Sequence, residues 1–97
     1  MSAPPALTTP GEVFARRRWI PAYRVEYAHE AQELLHEHGC VRGEVIYDKR
    51  HQARWQARGL RELLIDCRMF TGPELVEHTE KKWGGWIWSL EYKPRGA

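Results

Sequence analysis

Residues 49–61 read KRHQARWQARGLR, a stretch with five lysine or arginine side chains and no acid. On a helix turning about 100° per residue, Arg50, Arg54, Arg58 and Arg61 fall within an arc of roughly 80°. Ala53, Ala57, Leu60, Leu64 and Cys67 are expected on the opposite side. The pattern predicts a long amphipathic helix that buries an apolar face and displays an arginine stripe. Like charges at i,i+4 repel one another unless something anionic lies against them. The stretch therefore points to a surface for an anion or an acidic partner, and it carries no sign of a reaction.

Working outward, Asp48 is placed to cap this helix, because its carboxylate can accept from the unpaired first-turn N–H groups. The helix is expected to reach Met69 or Phe70, and Thr71-Gly72-Pro73 stops it. Gly59 costs up to ~1 kcal/mol relative to alanine inside a helix, so a break into two shorter helices is the alternative. Before it, Val41–Tyr47 reads as a short strand with Val45 and Tyr47 on one face. Ala28–His38 reads as a short helix with Ala31, Leu34, Leu35 and His38 on one side, ended by Gly39. Trp19–Tyr27 alternates aromatic and β-branched residues at period two, which predicts a strand that Pro21 keeps at an edge.

After the stop, Leu75–Lys81 and Trp86–Tyr92 form two strands joined through Trp83-Gly84-Gly85. The glycine pair permits positive φ in the turn, so a hairpin is predicted. Trp86, Trp88, Leu90 and Tyr92 share one face of the return strand. The fold class is α+β: a small, mainly antiparallel sheet with a C-terminal hairpin, packed by one long amphipathic helix and one short helix. The expected core is Leu34, Leu35, Val45, Tyr47, Leu60, Leu63, Leu64, Cys67, Trp86, Trp88 and Leu90.

At 97 residues the chain has the length of one small domain, and a mean hydropathy of −0.66 fits a well-solvated surface. Residues 1–15 read as a flexible Pro-rich arm, 16–93 as a single domain and 94–97 as a tail. The arm leads into a basic run, Arg16, Arg17 and Arg18, and lacks the charged and apolar regions of a secretory signal. No apolar run approaches the ~20 residues that span a bilayer, so no membrane association is expected. Cys40 and Cys67 do not make a disulfide framework, which suits a cytoplasmic setting. Net charge is only +2, but it is blocky. A basic block over 49–61 sits between acidic blocks over 24–48 and 62–80, so the charge pattern permits either internal neutralisation or an open basic face.

The run Ala28–Tyr92 resembles a winged-helix DNA-binding domain. RGLRELLIDCRMF is similar to the end of a recognition helix, and ELVEHTEKKWGGWIWSLEY to two wing strands. The resemblance implies DNA contacts from Arg54, Arg58 and Arg61 on the helix, with Lys81, Lys82 and Trp83 at the wing tip. The residues support a related reading on their own. Arginine offers forked donors to phosphate and to guanine edges, Gln52, Gln56 and Trp55 flank the stripe, and Trp83 beside two lysines could stack on a base.

His36-Glu37-His38-Gly39-Cys40 holds ligand-type side chains, but His36 and His38 point in different directions on a helix, and no CxxC or HExxH occurs. No metal or other cofactor is expected. A cysteine–histidine pair can be drawn, yet nothing marks it as a nucleophile and base. The expected function is therefore not enzymatic. The sequence reads as a small nucleic-acid-binding accessory or regulatory protein of the bacterial or phage type, with DNA or RNA as partner. The binding residues are Arg50, Arg54, Trp55, Arg58, Arg61, Lys81, Lys82 and Trp83, with Arg16–Arg18 as a basic arm. The alternative is a protein-interaction module, an inhibitor or assembly factor, that docks the same face on an acidic protein.

Overall fold

The long helix forms where the arginine stretch predicts it, as α2 (Arg50–Asp66), and Gly59 sits within it without a break. The structure is a computed structural model and describes residues 19–20 and 24–95. The other elements are β1 (Trp19–Ile20), α1 (Val25–His38), β2 (Cys40–Gly43), a 3-10 turn (Gly72–Glu74), β3 (Leu75–Lys82) and β4 (Gly85–Tyr92). The sheet order is β1-β2-β4-β3, with β1 parallel to β2 and the other two pairings antiparallel. The fold is thus α+β, as expected. Residues 1–18 and 21–23, which include the arm, Arg16–Arg18, Pro21 and Tyr23, lie outside the described residues, as do Gly96 and Ala97 of the tail.

Both helices pack on one face of the sheet. Ala28, Ala31 and Leu35 of α1, Ala53, Ala57, Leu60 and Leu64 of α2, and Val41, Leu75, Trp88 and Leu90 of the strands are buried together. Four of these are alanines, and a helix buried through alanines can lie close to the aromatic surface beneath it. Trp88 fills the space so made. Its indole lies over Gly43, where any Cβ would overlap the ring.

Several boundaries differ from those expected. The predicted strand Trp19–Tyr27 survives only as Trp19–Ile20 among the described residues, and Val25–Tyr27 belongs to α1. Burial at 28, 31 and 35 follows helical spacing, and that packing outweighs a short alternation. The N-cap of α2 is Lys49 and not Asp48. Its N–H donates to Gln52 Oε1 at 3.1 Å, so a side chain of the first turn does the capping.

The helix also ends earlier than Met69. Arg68 adopts a left-handed φ of 62°; its N–H donates to the Ile65 carbonyl and the Met69 N–H to the Leu64 carbonyl, both at 3.0 Å. These are the two bonds of a Schellman ending, with arginine where glycine is usual. Cys67 becomes the C-cap residue and is only half-buried, outside the expected core.

β2 stops at Gly43, and residues 44–46 leave the ladder before Tyr47 rejoins it opposite Trp86 through bonds of 2.8 and 2.6 Å. Val45, on the excursion, is exposed, which corrects its assignment to the core. The hairpin turn is Trp83-Gly84, with φ of 53° and 79°, the double positive φ of a type I′ connection. Gly85 lies instead inside β4, where a Cβ would stand 2.7 Å from the Tyr47 carbonyl oxygen. Phe70, Ile87 and the alanines are buried core residues that the expected core omitted. Among the described residues no helix is long and apolar enough to cross a membrane.

Two substitutions test these assignments by thermal unfolding. Arg68→Gly removes a left-handed non-glycine residue that costs about 1 kcal/mol, and should raise Tm by several degrees in a domain of this size. Gly43→Ala should lower stability by about 1–3 kcal/mol through overpacking against Trp88. A neutral Gly43→Ala would contradict that packing.

Candidate interaction surface

The arginine stripe does not lie opposite the apolar face of α2. Taken around the helix, its centre is about 90° from the centre of the Ala53-Ala57-Leu60-Leu64 stripe. It therefore flanks the buried face and reaches over the edge of the sheet. The outermost face carries His51, Trp55, Glu62 and Asp66, all exposed. That edge is β3, the last strand in the sheet order.

Contacts along the edge show how α2 is seated. Arg61 donates from Nε to the Leu75 carbonyl at 3.1 Å and from Nη2 to the Gly72 carbonyl at 2.8 Å. Arg58 Nε stands 3.7 Å from Glu77 Oε2. Arg50 Nε donates to Thr79 Oγ1 at 3.0 Å, and its guanidinium lies 5.7 Å from the centroid of the Trp86 ring. As α2 descends from 61 to 50, its partners on β3 rise from 75 to 79, so helix and strand run in opposite directions. The spans agree: eleven helical residues rise about 16 Å, and four strand residues about 14 Å.

Arg54 lies between Arg50 and Arg58, exposed, and makes no hydrogen bond or ion pair among the described residues. It shares a shallow recess with Arg50, Glu77, His78 and Thr79. Among the described residues, the one carboxylate that meets the stripe is thus Glu77, from β3.

The sequence-predicted residues divide accordingly. Arg50, Arg54, Arg58 and Arg61 do form one row, but Arg61 is spent on two backbone carbonyls and serves the fold. Trp55 is 61% exposed and packs edge-on against His51, 4.8 Å between centroids. Lys81 is exposed near the hairpin tip. Lys82 and Trp83 are half-buried, and the Lys82 ammonium lies 5.7 Å from the Trp83 ring and 3.9 Å from Glu80 Oε2. Trp83, which the winged-helix resemblance places at the wing tip as a DNA contact, thus has part of its ring covered. The described residues place one helix, not two, between β2 and β3.

The remaining polar groups have other roles. His36 stacks on Phe70 and meets Tyr92 edge-on, at 5.0 and 5.1 Å, while His38 pairs with Glu37 at 2.9 Å. Among the described residues there is no group of three or more His, Cys, Asp or Glu side chains placed to hold a metal. Burial pushes the Cys40 thiol above its ordinary pKa; nearby Arg42 offsets this in part, and Glu91 adds to it. Its reactive thiolate is therefore scarce at neutral pH. Arg42, which no sequence pattern singles out, has Nε and Nη1 buried on the helix-free side of the sheet, with no hydrogen-bond partner among the described residues.

No family model, no characterised protein and no solved structure matches the chain.

The division of labour along the stripe is measurable. Arg61→Ala should cost about 1–3 kcal/mol, because it strips the charged donor from two carbonyls at a partly buried site. Arg54→Ala should stay within about 0.5 kcal/mol of the parent protein. Chemical denaturation of both variants checks this, and equal effects would show that the stripe is not seated as described.

Proposed function

We infer that the chain is a protein-interaction module that receives an acidic protein segment on the arginine row of α2. The observation that carries this reading is the imbalance along the row. Four guanidinium groups line one edge, and among the described residues Arg54 is free and Glu77 is the one carboxylate found against them. An anionic partner relieves that repulsion.

The chemistry around the row favours a protein over a phosphate backbone. Arg50 and Arg61 are already committed as donors, and the Glu77 carboxylate lies against the row. A polyphosphate chain would bring continuous negative charge against that carboxylate. A protein segment can place acids where the arginines are and a neutral residue where the carboxylate is. No catalytic step is assigned, and the two free cysteines fit a cytoplasmic setting.

Nucleic-acid binding by an accessory or regulatory protein is the second reading, and Trp55 favours it. An exposed tryptophan beside Arg54, with Lys81 nearer the hairpin tip, offers stacking and phosphate contacts of the kind single strands use. It also keeps the winged-helix likeness as a proposal, with the β3–β4 hairpin as wing.

Titration at about 50 mM salt with two probes separates the readings: an acidic polypeptide, polyglutamate, and a 20-nucleotide DNA in single- and double-stranded form. The inferred function predicts that polyglutamate binds, that Arg54→Glu weakens it at least tenfold, and that DNA binds more weakly. Tighter binding to DNA, lost in Arg54→Glu and Trp55→Ala, would transfer the row to nucleic acid. Binding of neither probe would overturn both.

A further inference from the structure

The backbone of β3 adds a constraint that the arginine row alone does not supply. The Lys93 N–H donates to the Glu74 carbonyl at 2.7 Å, and Leu75 stands opposite Tyr92 in the register. In an antiparallel ladder, bonded and non-bonded pairs alternate. Val76, His78, Glu80 and Lys82 therefore direct their N–H and C=O groups inward to β4. Leu75, Glu77, Thr79 and Lys81 turn theirs outward. The Leu75 carbonyl is taken by Arg61, while no described residue bonds to the outward groups of Glu77, Thr79 and Lys81.

Three residues of open ladder thus lie directly beneath Arg50, Arg54 and Arg58. We propose that the acidic partner enters as an extended strand that adds to the free edge of β3 at Glu77–Lys81, with its carboxylates alternating toward α2. This rests on the reading of the row as a protein-binding surface and specifies how the partner is held. Residues of an added strand that bond to Glu77, Thr79 and Lys81 share a face with those side chains, and that face is the helix side. A residue opposite Thr79 or Lys81 projects toward Arg50 and Arg54, where an acid is favoured. The position opposite Glu77 takes a neutral or basic residue. The segment is short, about five residues or ~17 Å, because Arg61 and Pro73 close one end and the Trp83-Gly84 turn closes the other.

Charge across the helices argues against a second copy as the occupant. Two β3 strands paired antiparallel about Thr79 would set Glu77 opposite Lys81 of the other copy, an attractive pair. The same symmetry, however, puts both α2 helices on one side of the joined sheet, with their arginine rows toward each other. The facing guanidinium groups then repel with no added acid between them, whereas an acidic strand supplies one.

The test uses the full chain and a synthetic peptide, Val-Glu-Val-Glu-Val-Gln-Val, which when antiparallel to β3 sets its two acids opposite Lys81 and Thr79 and its glutamine opposite Glu77; it is used in plain form and with N-methyl groups on alternate backbone nitrogens, one peptide methylated on each edge. Strand addition predicts that the plain peptide binds with modest affinity. Methylation of the edge that faces β3 should weaken it at least tenfold, and methylation of the other edge should leave it nearly unchanged. Thr79→Pro removes an outward N–H that β4 does not use, so it should keep the fold and lose the peptide. Thr79→Val keeps that N–H and should retain the peptide. Equal binding of all three peptides would leave an acidic partner in place and overturn the strand mode. Failure of every peptide, with binding to DNA, would overturn the protein-binding reading beneath it. Concentration-dependent self-association lost in Thr79→Pro would assign the edge to a second copy.

Discussion

Arg61 fixes the relation between the long helix and the sheet. Its guanidinium spans two backbone carbonyls, of Leu75 and Gly72, at the point where the chain leaves the 3-10 turn and enters β3. Among the described residues the Leu75 carbonyl has no other partner, the Gly72 carbonyl also accepts the Leu75 N–H, and a charged donor satisfies a carbonyl more strongly than a neutral one. Once α2 is held there, its direction along β3 is set, and Arg58 and Arg50 come to rest on Glu77 and Thr79. The helix covers the edge strand with side chains but, among the described residues, leaves the outward backbone of Glu77, Thr79 and Lys81 unpaired. The proposed function depends on this arrangement.

A second constraint is close packing. The alanines of α1 and α2, together with Gly43 under the Trp88 indole and Gly85 against Tyr47, let large rings fill a small core. Trp88 and Leu90 are buried, and Trp86 is half-buried with Arg50 over it. The arginine row is continuous with this core through Trp86, so the position of Arg50 is coupled to hydrophobic packing and not set by solvent alone.

Much of this was legible in the sequence because the periodic segments were long. The period of the α2 stretch gave the helix, its buried residues and the arginine row, and the alternation at Trp86–Tyr92 gave the inner face of β4. The errors fell where a few residues had to decide. Val25–Tyr27 alternates for too short a run to resist the helical pull of Ala28, Ala31 and Leu35. Gly84-Gly85 looked like the turn pair, but Tyr47 needs a close approach at Gly85, and this moves the turn to Trp83-Gly84. The largest misreading concerned the row itself. Facing arginines to solvent ignored that their arc is only about 90° from the apolar stripe, within reach of a sheet edge. Arg61 as a fold residue was invisible, because a backbone carbonyl as partner leaves no mark in the side-chain pattern.

The central claim is that β3 presents an open edge with a defined phase, and amide hydrogen exchange on the free protein reads it residue by residue. The account predicts alternation along the strand. The amides of His78 and Glu80 should be slow, near the limit set by global unfolding, whereas those of Glu77, Thr79 and Lys81 should be fast. Uniform protection across 77–81, or the opposite alternation, would contradict the register and with it the open edge.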